Sequence, residues 1–186
     1  MTALKKSDVL MSPEEYLEGE LLSEVRHEYV AGQVFAMAGA SDEHNRISGN
    51  IFASLHAQLR GKPCEAFMND MKARVATAFY YPDVMVACDP TDNHRYYRER
   101  PTVVFEVASP DTERTDRREK SISFWHRPTC QTYVVVAQDR VALTVMRRGG
   151  GDWWESEEIT DRNATLRLPE IGCEISVAEI YERTAV

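Results

Sequence analysis

Two carboxylates lie inside apolar, β-branched runs, and they constrain the fold of this 186-residue chain more than any other feature. Asp83 interrupts Pro82-Asp83-Val84-Met85-Val86, and Glu106 interrupts Val103-Val104-Phe105-Glu106-Val107. Runs of this composition favour strands. A charged side chain within such a strand is costly to bury unless something pairs with it or coordinates it. Two of them on neighbouring strands suggest a shared divalent cation.

The flanking sequence predicts what surrounds those strands. Ser12-Pro13-Glu14-Glu15 reads as a serine cap, a proline in the first turn and early acids, so a short helix runs to about Gly19. His27 to Met37 contains two short β-type runs about Ala31-Gly32, a hairpin. Ser41 caps the clearest helix, which runs to about Arg60 and is stopped by Gly61 and Pro63. Its Ile47, Ile51, Leu55 and Leu59 recur every four residues and form one stripe that packs on a sheet. His44 lies one turn ahead on the same stripe, where a structural histidine is commoner than a catalytic one.

Cys64 to Thr77 reads as one strand with Asp70, Lys72 and Arg74 on one face, followed by a turn at Ala78-Phe79-Tyr80. Asp89 to Arg100 is polar, without apolar periodicity, and reads as a loop. Strands are expected at Thr102–Ala108 and Gln131–Gln138, separated by a helix from about Thr115 to His126. Val141–Arg147 and Trp153–Glu158 form a hairpin around Gly149-Gly150-Gly151, and a short helix at Val177–Arg183 closes the chain. With no lysine in P-loop position and no following helix, the triple glycine is not a phosphate cradle. The order is helix, three strands, helix, strand, with N- and C-terminal additions: a mixed α/β core in a single domain, 1–186.

Composition narrows the partners. The net charge of −8 weighs against a protein that merely coats nucleic acid, but an acidic metal site beside a local basic patch is compatible with it. No apolar run approaches the roughly 18 residues needed to span a bilayer. The N-terminus lacks the apolar core of a signal peptide. A cytoplasmic location without a membrane partner is expected. Cys64, Cys88, Cys130 and Cys173 are scattered, with no C-x-x-C pair, and are expected to be reduced, buried thiols.

Glu106 shares its strand face with Ala108, where a partner lysine would be natural; Lys120, on the next helix, is placed to reach back over the strand end. Pro82-Asp83 followed by Glu106-Val107-Ala108, in this element order, resembles the PD-(D/E)XK nuclease superfamily. More narrowly, the chain resembles a large bacterial family of restriction-endonuclease-like proteins long catalogued as a domain of unknown function. Tyr29-Val30-Ala31-Gly32-Gln33, Ala38-Gly39-Ala40-Ser41 with His44, Asn69 to Val75, Tyr81 to Val84, Phe105 to Pro110, and Thr112-Glu113 with Asp116 to Lys120 carry the likeness. The absent lysine at position 108 departs from the superfamily but is usual in the narrower family, where the following helix supplies it. Gln33 stands where relatives often have glutamate.

The resemblance implies a restriction-endonuclease-like fold and a metal-dependent endonuclease acting on DNA. Asp83 and Glu106 would bind Mg²⁺ or Mn²⁺ through hard oxygen ligands and so activate a water. Lys120 would position or deprotonate that water, or neutralise charge on phosphorus. His44 would orient a ligand or shuttle a proton, with Glu28 or Asp70 as further acidic candidates. Arg114, Arg117 and Arg118, with Lys72 and Arg74, would meet phosphates. Cutting both strands usually needs two sites, so a homodimer is expected, and any specificity falls to loops such as Asp89–Arg100.

Plainer readings stay open. Asp83 pairs with Arg74, Glu106 is a structural partner of Lys120, or Asp116 and Lys120 form a simple helix pair. A catalytically degenerate member of the fold that binds nucleic acid or protein is the alternative function; a solvent-facing Lys120 would favour it. A two-carboxylate glycosidase with a cleft lined by Trp153 and Trp154 ranks last.

Overall fold

The computed structural model describes residues 10–37, 39–108, 116–151 and 153–186. Helix α1 (Pro13–Glu20) begins with a capping box, in which Glu15 N–H donates to Ser12 Oγ and Ser12 N–H to Glu15 Oε2. Strands β1 (His27–Val30) and β2 (Gln33–Ala36) form the expected hairpin. Its two turn residues, Ala31 and Gly32, have φ of 49° and 83°, the positive values such a turn needs. Helix α2 (Asp42–Gln58) starts at Ser41, whose Oγ accepts the His44 N–H, and its stripe Ile47, Ile51, Leu55 is fully buried.

The chain continues through β3 (Glu65–Met68), β4 (Lys72–Val75), β5 (Ala78–Tyr80), β6 (Val84–Ala87), the two-residue β7 (Tyr97–Arg98) and β8 (Pro101–Ala108). Helix α3 (Asp116–Trp125) leads into the wholly buried β9 (Thr132–Ala137) and the hairpin of β10 (Leu143–Arg148) and β11 (Trp154–Ile159). β12 (Thr165–Leu168), β13 (Cys173–Ser176) and α4 (Val177–Ile180) end it.

A six-stranded sheet in the order β11-β10-β9-β8-β6-β3 is the centre of the molecule, and a five-stranded sheet, β2-β1-β5-β4-β7, accompanies it. Within the larger sheet, α2, then β3, β6 and β8, then α3, then β9 reproduce the expected helix, three strands, helix, strand, in the mixed α/β fold class expected. β6 runs antiparallel to β8, and β8 parallel to β9 across the α3 crossover. Alternation along β8 sends Val103, Phe105 and Val107 into the core shared with α2, and Val104 and Ala108 into a second core shared with Phe124 of α3. Glu106 belongs to the second face. The C-terminal addition is bound to α2, with Asn50 Nδ2 donating to the Ile180 carbonyl and Gln58 exchanging hydrogen bonds with the Glu174 backbone.

Several expectations are corrected. The segment from Cys64 to Thr77 is two strands in different sheets, broken where Asn69 takes a φ of 52°. Beyond the break Asp70 to Val75 alternates polar and apolar residues, and the apolar run before it is also strand-like, which is why the sequence reads as continuous. Ala78-Phe79-Tyr80 is strand β5 rather than a turn; the reversal falls one step earlier, at Ala76, with φ 54°. Cys64 and Cys88 are joined in a disulfide, not reduced. They lie one residue beyond the Glu65–Ala87 pair of β3 and β6, so the fold makes cross-strand neighbours of cysteines 24 residues apart. Cys130 and Cys173 are the expected buried free thiols.

Candidate active site

The β6–β8 register pairs Val84 with Phe105, and one further step sets Asp83 opposite Glu106 on the α3 face. Asp83 is held from two directions. Its Oδ2 accepts the Val107 N–H at 2.7 Å, and its Oδ1 lies 3.2 Å from His44 Nε2. His44 sits in the first turn of α2 and so reaches Asp83 from the other layer. Burial pulls its pKa down, but the hydrogen bond and charge of Asp83, with the Val107 backbone, outweigh this and leave it raised.

Lys120 comes from α3. Its Nζ lies 2.7 Å from Glu28 Oε1 and 3.7 Å from Glu106 Oε1, with the side chain only 17% exposed. Burial opposes its charge, but Glu106, Glu28 and Asp83 raise its pKa well beyond that of a free lysine. Lys120 is therefore a fixed cation at neutral pH. Glu28, on β1, also accepts the Tyr81 N–H at 3.2 Å, which ties the smaller sheet to the strand entry that carries Asp83.

Glu106 is the least compensated member. Oε1 is buried without a hydrogen-bond partner, since Lys120 at 3.7 Å forms only an ion pair. Burial pushes its pKa up to about 8, against the pull of Lys120 and with the push of Asp83 and Glu28. The Tyr133 hydroxyl, on neighbouring β9, is also buried without a partner, and its pKa is raised by burial and then by the Glu106 charge.

The structure thus brings Asp83, Glu106, Lys120 and His44 together and adds Glu28 to them. Asp70 lies apart, exposed and 2.7 Å from Arg26. The suggested Asp83–Arg74 pair does not form; Arg74 pairs with Glu99. Lys72 is buried, its Nζ 5.0 Å from the Tyr81 ring centroid, so neither Lys72 nor Arg74 stands free for phosphate. Arg114 and the side chains of Asp116, Arg117 and Arg118 lie outside the described residues. Trp154 is buried with Nε1 donating to the Ser121 carbonyl and Trp153 packs on Trp125, which commits both rings to α3 rather than to a sugar cleft. Glu28, an acid within a short β run, is the one of the two further acidic candidates that lies at the site.

Among the described residues no group of three or more His, Cys, Asp or Glu side chains is arranged to hold a metal ion. Two carboxylates suit Mg²⁺, which binds through one or two of them and keeps several waters. A buried carboxylate oxygen without a hydrogen bond beside a second carboxylate is a donor set of that kind.

The element order and sheet topology, with an acid at the entry to β6 facing one on β8, are those of a restriction-endonuclease-like fold. The comparisons agree. Residues 13–178 match the Uma2 family, described as "Putative restriction endonuclease", and the chain belongs to that family. "Uncharacterized protein slr1290" of Synechocystis sp. is 36% identical over 180 residues, covering 94% of this chain and 93% of its own. A second Synechocystis protein, sll1609, also uncharacterised, is 27% identical over 164 residues, covering 86% and 93%. The crystal structure of "a putative nuclease belonging to DUF820" from Anabaena variabilis superposes with a TM-score of 0.75, covering 92% of this chain and 97% of that one. At 16% identity, that likeness shows the fold.

Proposed function

We propose that the chain is a metal-dependent endonuclease that hydrolyses phosphodiester bonds in DNA, with Mg²⁺ or Mn²⁺ held by Asp83 and Glu106. The observation that carries this reading is the buried, unbonded Oε1 of Glu106 opposite Asp83, an arrangement that costs folding energy unless a cation completes it. When bound, such a cation polarises a phosphoryl oxygen and makes a water nucleophilic near neutral pH.

The chain's own residues do the rest. The Val107 N–H and His44 fix the two oxygens of Asp83, so its carboxylate is oriented before substrate arrives. Lys120, kept protonated by Glu28 and Glu106, offsets negative charge building on the phosphoryl group rather than acting as a base. Its turn inward, to Glu28 and Glu106, supports catalysis over the degenerate-binder reading.

Plasmid cleavage tests the proposal. Wild type is expected to nick or linearise supercoiled DNA with Mg²⁺ or Mn²⁺ and not with EDTA, and Asp83→Ala and Glu106→Ala each to lose at least ~100-fold of that activity. Linear product at early times is what the expected two-fold dimer would give. Undiminished cutting in EDTA, or full activity in either variant, would overturn the mechanism.

A further inference from the structure

We propose that the tip His94-Arg95-Tyr96, between β6 and β8, is a contact surface for duplex DNA; the proposal rests on the nuclease reading for the identity of its partner. The segment contains no helix and only two strand residues, yet its base is fixed. Asp92 is buried and accepts the Glu99 N–H through both carboxylate oxygens, at 2.9 and 3.0 Å, and the Arg100 N–H at 2.7 Å. Arg100 pairs with Asp89 and donates to Thr91 Oγ1. Arg98 lies 4.5 Å from the Phe67 ring centroid and donates to the His94 and Tyr97 carbonyls. The charges of Arg98 and Arg100 are thus used inside the segment.

What remains outward is different. The His94 ring stacks on Tyr97 with centroids 3.7 Å apart, and Arg95 lies 5.5 Å from the Tyr96 ring centroid. His94, Arg95 and Tyr96 are all exposed. A guanidinium held over an aromatic ring, both facing water, suits a phosphate backbone, to which arginine and tyrosine both donate.

The segment is also tied to the sheet that carries Glu28 of the site. Through β7 the segment pairs Tyr97 with Lys72 of β4. β4 follows the turn in which the Asn69 N–H donates to the Asp83 carbonyl, so the tip is tied to the strand leaving that turn. The chain carries a net charge of −8, so where a duplex docks should depend on its exposed cations, of which Arg95 is one.

Fluorescence anisotropy of a labelled DNA duplex, with the full chain in EDTA so that no cutting occurs, tests this. Arg95→Ala is expected to weaken binding about tenfold and to lower the slope of log affinity against log salt by about one. Tyr96→Ala should weaken it several-fold. Arg60→Ala, an exposed cation at the far end of α2, should bind as tightly as wild type, and thermal melts of all three should coincide with wild type. Unchanged binding in Arg95→Ala, equal weakening in Arg60→Ala, or a wild type that binds no duplex would overturn the inference. Arg95-dependent binding by a wild type that never cleaves would support it while removing the nuclease reading, whereas unchanged binding with metal-dependent cutting would do the reverse.

Discussion

At the scale of single residues, Glu106 decides the most. Its pKa of about 8 in the fold, against an ordinary 4.5, makes the folded chain hold a proton that the unfolded chain has released. Its contribution to stability therefore falls as pH rises from about 4.5 toward 8 and levels off above it. Glu106→Gln removes that slope. Lys120 keeps Glu28 as its counter-ion at 2.7 Å, so the substitution leaves no orphaned cation. Without metal, the variant is expected to melt a few degrees above wild type at pH 8 and close to it at pH 5, as measured by thermal unfolding in EDTA. Equal melting temperatures of wild type and Glu106→Gln at pH 8 would show that Glu106 is not held in this state.

At the scale of elements, α2 links packing to the site, because its buried stripe fixes the helix and its first turn presents His44. The Ser41 cap is the hinge of that arrangement, since its Oγ accepts the N–H of His44 itself. Ser41→Ala should cost about 1 kcal/mol. For a chain of this size that lowers Tm by ~2–4 °C, readable by calorimetry. The caps of α1 and α2, the β1–β2 hairpin and the stripe were legible because they depend on near neighbours in sequence. The Asn69 break and the β5 strand were not, since the pattern of alternation cannot report which sheet a strand joins. Asp83 and Glu106 announced themselves through the conflict between charge and apolar surroundings. Glu28 was legible only as one of two further acidic candidates, and folding, which brings it to Tyr81 across 53 residues, separates it from Asp70; the Cys64–Cys88 bond depends on a register no local signal sets.

At the scale of the molecule, the site is a junction. Glu28 comes from the five-stranded sheet, Asp83 and Glu106 from β6 and β8 of the six-stranded sheet, Lys120 from α3 and His44 from α2. No single element carries it, so its geometry depends on how the layers pack. Among the described residues no helix is long and apolar enough to cross a membrane. We propose that this junction holds one divalent cation between Asp83 and Glu106, and calorimetric titration of the purified chain with Mn²⁺ reads that binding. One site per chain is expected, tighter at pH 8 than at pH 6 because the metal displaces the Glu106 proton, and weakened at least ~10-fold in Glu106→Gln. No heat of binding in wild type, or the same affinity in the variant, would contradict it.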